Sequence, residues 1–173
     1  MTKEIRVRQA KEEDLARIGE IVYETWLATY PNTSLGITKE WIEKLFERKN
    51  TPENLQRRLD DIKNQSDTFK ILVAQEGEDI VGVGRFLQND DRNILKMLYV
   101  LPEYQGHGIG TRLWEEGKKI FDPNKKTFVS VADYNNKAIT FYKKLGFCEN
   151  GKNFVDERFS QGGIGILEIE MEI

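Results

Sequence analysis

The stretch YVLPEYQGHGIGTRLWEEG, residues 99–117, constrains this chain more than any other. An apolar, strand-like run stops at Pro102, and glycines then alternate at Gly106, Gly108 and Gly110. A helical pattern follows, with Ile109, Leu113, Gly117 and Ile120 on one face. The start of a helix leaves backbone N–H groups without internal partners, and its dipole favours negative charge there. Glycines let the backbone approach a phosphate closely and take positive φ. Strand, glycine turn and helix therefore predict an anion cradle in an α/β fold. Two phosphate motifs fail on spacing. A Walker A loop needs a lysine after its last glycine, where this chain has Thr111. A dinucleotide fingerprint needs Gly-x-Gly-x-x-Gly, and here the glycines alternate. The only histidine of the chain, His107, sits inside the turn.

The rest of the chain alternates between the two hydrophobic periods. Ile5 and Val7 mark a first strand, and Leu15, Ile18, Val22 and Trp26 a helix that ends before Pro31. Thr38 predicts the N-cap of a helix carrying Trp41, Ile42, Leu45 and Phe46. Thr51 before Pro52 predicts another, with Leu55, Leu59 and Ile62 as its apolar stripe. FKILVAQ and DIVGVGRFLQ read as a hairpin around EGED, and NILKMLYVL as the next strand. Beyond the turn and its helix come the strand KTFVSVAD and the helix NNKAITFYKKLGF. The latter has Ala138, Phe141, Tyr142 and Leu145 on one face and Gly146 at its C-terminus. Two strands around SQGG complete an order β-α-α-α-β-β-β-α-β-α-β-β, read as one α/β domain over residues 1–173 with a mixed sheet.

Composition excludes several function classes. With 173 residues and 39% hydrophobic content the chain can bury a sizeable core. No apolar run reaches the ~20 residues of a membrane helix. The charged start MTKEIRVRQAKEED lacks a signal-peptide core, and a lone cysteine, Cys148, permits no intrachain disulfide, so a cytoplasmic location is expected. Cys148 reads as a half-buried small residue. A net charge of −3 with acids and bases well mixed leaves no basic stripe for nucleic acid. The final stretch from Cys148 is acidic, which reads as a solvated strand face or as attraction for a cationic substrate.

Gln105, Gly108 and Gly110 fit the Gln/Arg-x-x-Gly-x-Gly/Ala acyl-CoA loop, which this turn resembles, of the GNAT superfamily of N-acyltransferases. Downstream, Asn135, Ala138, Phe141, Tyr142, Gly146 and Phe147 match the superfamily's Asn-x-x-Ala-x-x-Phe-Tyr-x-x-x-Gly-Phe segment, and the opening IRVRQAKEEDLARIGEI is similar to its first strand and helix. The resemblance implies an α+β fold: a mixed, mostly antiparallel central sheet of six to seven strands flanked by helices, with a cleft where the fourth and fifth strands splay. It implies acetyl-CoA as co-substrate and no metal. The pyrophosphate would rest on backbone N–H groups of Gln105, Gly106, His107, Gly108, Ile109, Gly110 and Thr111, with the His107 side chain at the rim. Leu98, Tyr99 and Val100 would line the pantetheine arm, with the Val100 N–H as oxyanion donor. Asn135 would cap its helix and touch the arm, and Tyr142 would protonate the departing sulfur.

Acetyl transfer also needs an amine stripped of its proton and held close to the thioester. Relatives often place a glutamate on the fourth strand, but this chain has no acid between Asn93 and Leu101. Asp133, Glu24 or a water relay are the candidates for the base. Trp26 and Tyr30 suggest an apolar or cation–π wall for an amine. The expectation is an N-acetyltransferase for a small cationic amine, with a loose resemblance to bacterial polyamine acetyltransferases. Acetylation of protein N-termini or lysines, and a CoA-binding sensor without catalysis, stay open beside it, as does a homodimer. Tyr142 in register argues against the sensor.

Overall fold

The computed structural model describes residues 4–173. In chain order its elements are β1 (Ile5–Gln9), α1 (Leu15–Thr29), α2 (Lys39–Lys49), α3 (Pro52–Lys63), β2 (Phe69–Glu76) and β3 (Asp79–Gln88). They continue with β4 (Asn93–Val100), α4 (Ile109–Gly117), β5 (Thr127–Ala132), α5 (Asn136–Lys144), β6 (Cys148–Val155) and β7 (Leu167–Glu172). The order of strands and helices is the one read from the hydrophobic periods. The predicted caps form as well: Thr38 Oγ1 accepts from the Trp41 N–H at 3.1 Å and Thr51 Oγ1 from the Asn54 N–H at 3.3 Å. Caps of this kind are each worth about 1 kcal/mol. No helix among the described residues is long and apolar enough to cross a membrane.

The strands form one seven-stranded sheet in the order β1-β2-β3-β4-β5-β7-β6. Every neighbouring pair is antiparallel except β4 and β5, whose parallel pairing requires a crossover, supplied by α4. That pair positions the site. It is bonded only where Asn93–Leu95 faces Thr127–Val129, and beyond it the strands part. Asn93, 1% exposed, pins the closed end. Its amide donates to the carbonyls of Asp122 and Lys125 at 2.9 and 3.0 Å and its Oδ1 accepts from the Asp122 N–H. A buried polar side chain persists only when its bonds are made, so Asn93 fixes where the splay begins. The ladder with β3 also skips Lys96, since Arg85 faces Met97 while Phe86 faces Leu95. An unpaired bulge residue bends and twists its strand, which helps β4 leave β5.

Two apolar clusters hold the layers. The larger packs α1, α4 and α5 on the sheet through residues such as Ile21, Phe86, Leu113 and Phe147. At Gly117 of α4 an added Cβ would lie 2.1 Å from the Phe86 ring, so only glycine lets the helix sit on that ring. The smaller cluster gathers Trp26, Trp41, Ile42 and Leu45 beneath α2. Three sequence readings are corrected. Leu55 is 40% exposed, because α3 is anchored through Ile62 and presents its first turns to solvent. α4 ends at Gly117, and Ile120 follows in a 3₁₀ turn. Cys148 is exposed rather than half-buried, because β6 is the outer strand of the sheet.

Candidate active site

The splay opens one cleft of about 660 Å³ that runs from the glycine turn to the aromatic end of α1. Its turn end is made by backbone. Leu101 donates its N–H to the Val81 carbonyl at 3.0 Å, and Tyr99 lies opposite Val83. Strand alternation then turns the N–H groups of Leu98 and Val100 toward the side from which β5 has departed. The Val100 carbonyl is already engaged: Gln105 Nε2 donates to it at 2.9 Å, and Lys137 Nζ in turn donates to Gln105 Oε1 at 2.7 Å. The Val100 N–H is thereby left as the outward-facing donor of that peptide pair.

The three glycines do different jobs. Gly106 and Gly108 have φ of 83° and 76°, and a Cβ on either would meet nothing within 4 Å, so each leaves open space beside a left-handed backbone. Gly110 instead faces α5, where its Cβ would stand 3.2 Å from the Phe141 ring, a packing role. Gln105, Ile109 and Thr111 also line the cleft. The His107 side chain does not: it is exposed, with Nδ1 3.3 Å from the Tyr104 carbonyl. Lys137 and Lys144 make this end of the cleft basic.

At the centre stands Tyr142, 6% exposed and lining the cleft. Burial, and then the neighbouring Tyr99 phenol, push its pKa well above the ordinary value near 10. Sequence alone suggests an unperturbed phenol; the fold supplies a weaker acid that stays neutral. Asn135 caps α5, its Oδ1 accepting from the Ala138 N–H at 3.1 Å, and borders the same space. The Tyr99 hydroxyl accepts from Trp26 Nε1 at 3.1 Å, tying β4 to α1.

The opposite end, at α1, is made by side chains from distant segments. Trp26 borders the cleft but is only 4% exposed, stacked on Tyr30 at 4.3 Å between ring centroids and packed on Phe159 at 5.1 Å. It is a core residue with one edge on the site. The hydroxyl of Thr25 is buried beside it and has no hydrogen-bond partner among the described residues. Both acids named as base candidates lie outside the cleft lining. Asp133 is exposed just beyond β5, and Glu24 is exposed 3.6 Å from Arg17.

Three acids line the cleft, Asp156, Glu168 and Glu170. Asp156 pairs with Arg158, and Glu170 lies within ion-pair distance of Lys152 and Arg92. That leaves Glu168, on β7 opposite Ala132 of β5, as the one outside the ion pairs among the described residues. Burial, reinforced by the charge of Asp156 and opposed by that of Arg158, pushes its carboxyl up to about 7. No signal in a short, strongly acidic strand separates Glu168 from a solvated face. The alternation in LEIEME places Glu168, Glu170 and Glu172 on one side, and only the fold reveals that this side turns into the cleft.

Comparison with known proteins agrees with this geometry. A family model described as Acetyltransferase (GNAT) family matches residues 22–147. The chain is 31% identical over 157 residues to a thialysine N-epsilon-acetyltransferase of Sus scrofa, covering 82% of this chain and 83% of that one. It is 28% identical over 162 residues to a spermidine N(1)-acetyltransferase of Thermoplasma acidophilum, covering 89% and 96%. Among solved structures it is similar to the PaiA N-acetyltransferase of T. acidophilum in complex with coenzyme A, with a TM-score of 0.70 and 26% identity over 95% of this chain and 98% of that one.

Proposed function

Because the chain belongs to the GNAT acetyltransferase family, we propose that it moves an acetyl group from acetyl-CoA to a primary amine of a small molecule, by direct attack within a ternary complex. The observation that carries this reading is the continuity of the cleft. Open backbone at Gly106 and Gly108, free strand-edge donors on β4, the Tyr142 hydroxyl and the Glu168 carboxyl all border one space. The open left-handed backbone and the flanking lysines fit a pyrophosphate, and the free edge of β4 fits an amide-bearing arm.

Acetyl-CoA supplies an activated acetyl group whose C–S bond breaks as the amide C–N bond forms. The chain's residues manage charge and protons around that exchange. Glu168, with a pKa near 7, takes one proton from the substrate ammonium and releases it to solvent. The Val100 N–H donates to the carbonyl oxygen as it gains charge. Tyr142 donates at the sulfur, and the second proton lost by the nitrogen restores the phenol, so one proton is released per turnover. A phenol above its ordinary pKa is a reluctant proton source. Its contribution is greatest where the thiolate develops, which is stabilisation specific to the transition state.

The spermidine and thialysine enzymes among the relatives support a small amine. Release of CoA thiol from acetyl-CoA, measured with spermidine, diamino acids, a lysine-bearing peptide and a peptide with a free N-terminus, tests the proposal. Turnover of small amines above peptides is expected. A preference for either peptide moves the protein to the protein-acetylating class, and thiol release with no amine at all leaves only CoA binding.

A further inference from the structure

The fork between β4 and β5 closes on a lysine. The last bonded pair is Leu95 with Val129, so Lys96 is the first residue of β4 beyond it. The β3–β4 ladder skips Lys96 as well, which leaves it without a ladder partner on either side. Its side chain lines the cleft and is exposed. Three acids share that lining, but Asp156 is paired with Arg158 at 2.5 Å and Glu170 lies 3.4 Å from Lys152. Among the described residues no carboxylate stands within ion-pair distance of Lys96, and its Nζ makes no hydrogen bond. Lys137 also lines the cleft, but at the turn end, where its Nζ donates to Gln105 Oε1 at 2.7 Å.

The free edge of β4 runs from the glycine turn back to the fork in the order Val100, Leu98, Lys96. A pyrophosphate on the turn, with its arm paired to that edge, carries the thioester away from the turn and toward the fork. Lys96 stands two residues, about 7 Å, beyond Leu98 in that direction, and its flexible four-carbon stem spans most of that distance. Its amine is therefore the lysine amine of this chain that lies ahead of the arm's tip. Burial, and then the charges of Arg158 and Arg85, lower its pKa, so more of it is uncharged and nucleophilic than on a fully solvated lysine.

We infer that Lys96 is a modification site of the chain's own cleft: with no acceptor amine bound, its Nζ attacks the thioester of the acetyl-CoA held in the same chain and becomes Nε-acetyllysine. The inference rests on the acetyl-transfer reading. The nitrogen forms a C–N bond to the acetyl carbon as the C–S bond breaks. Of the two protons that the ammonium loses, one goes to solvent and the other to the departing sulfur, so CoA leaves as the free thiol. The product is an amide, which an incoming amine does not displace. The acetyl group therefore stays on the chain, and acetylated Lys96 is an end product rather than an intermediate of transfer to free amines.

The test incubates the whole chain with acetyl-CoA and no acceptor, and follows acetylation of each lysine by peptide mass spectrometry. Lys44, exposed on α2 and outside the cleft lining, reports acetylation by acetyl-CoA in solution. Lys96 should be acetylated about tenfold or more faster than Lys44, because the fold holds it beside the thioester. Its rate constant should saturate with acetyl-CoA and stay the same when the protein is diluted. Gly108→Val, at limiting acetyl-CoA, should slow Lys96 by about the factor it costs in CoA affinity and leave Lys44 unchanged. Equal rates at Lys96 and Lys44, or a Lys96 rate untouched by Gly108→Val, overturn the inference in favour of solution chemistry. A rate constant that rises with protein concentration overturns it in favour of transfer between molecules. Thiol release with spermidine or free lysine, in protein whose Lys96 stays unmodified, overturns it and leaves acetyl transfer standing. Absence of thiol release with any amine together with an unmodified Lys96, in protein that binds CoA by calorimetry, overturns both.

Discussion

The two ends of the cleft are built differently. The turn end draws on one continuous stretch, Leu98 to Thr111, and acts through backbone: free strand-edge N–H groups, left-handed Gly106 and Gly108, and the start of α4. The acceptor end draws on α1, β4, the β6–β7 connection and β7, and acts through side chains such as Thr25, Lys96, Arg158 and Glu168. On the proposed reading, a backbone cradle serves what every acetyl-CoA molecule shares. A wall of side chains gathered from afar can change its charge without disturbing that cradle. Tyr142 belongs to both: it lies on the helix that Asn135 caps and lines the cleft beside the Tyr99 phenol, which Trp26 ties to α1.

The largest expected effect is at that junction. Tyr142→Phe keeps the ring and its contacts and removes the hydroxyl. Single-turnover acetyl transfer should slow by about 10²–10⁴-fold with acetyl-CoA affinity unchanged. Unchanged single-turnover and steady-state rates make Tyr142 a core aromatic only.

At the acceptor end, Glu168→Gln should lower the transfer rate by about 10²-fold. In the wild type the rate should rise with pH through about 7, as the carboxyl ionises among Tyr30 just after α1, Tyr99 of β4, and Asp156 and Arg158 of the β6–β7 connection. The glutamine variant should lose that inflection, whereas Asp133→Asn should keep it. The variant also has a stability signature. A carboxyl whose folded pKa is raised is mostly protonated in both states at pH 4, and the folded state is penalised as pH climbs from the unfolded pKa of about 4.3 to the folded value near 7. Glu168→Gln should therefore raise Tm at pH 8 and leave it nearly unchanged at pH 4. An inflection that persists, or a Tm gain at both pH values, removes Glu168 as the base.

At the turn end the contrast can be drawn within one loop. Gly108→Val puts a β-branched residue at a φ of 76°, a strain of roughly 1–2 kcal/mol, and fills the open space beside the backbone. CoA affinity measured by calorimetry should fall by about tenfold or more. His107→Ala, one residue away, should change it by less than about twofold, because the His107 side chain lies outside the cleft lining. A large loss at His107 with none at Gly108 would show that side chains, rather than backbone, hold the phosphates.

The sequence by itself determined the order of strands and helices, the caps at Thr38, Thr51 and Asn135, the turn geometry at Gly106 and Gly108, and the register of Tyr142 on its helix. Each of these is local: a period of two or near four, a hydroxyl or amide three residues from the N–H it satisfies, a glycine where φ is positive. Tertiary structure alone decided which acids face the cleft. Asp133 and Glu24 have the right chemistry and lie outside it, whereas Glu168 sits in a strand whose alternating acids look like a solvated edge until β7 is packed beside β5. It also decided that Lys96 lines the cleft, because the bulge in the β3–β4 pairing joins strands whose register no local pattern sets. Burial and net charge at a point are sums over residues far apart in the chain, so they exist only once the fold has brought those residues together.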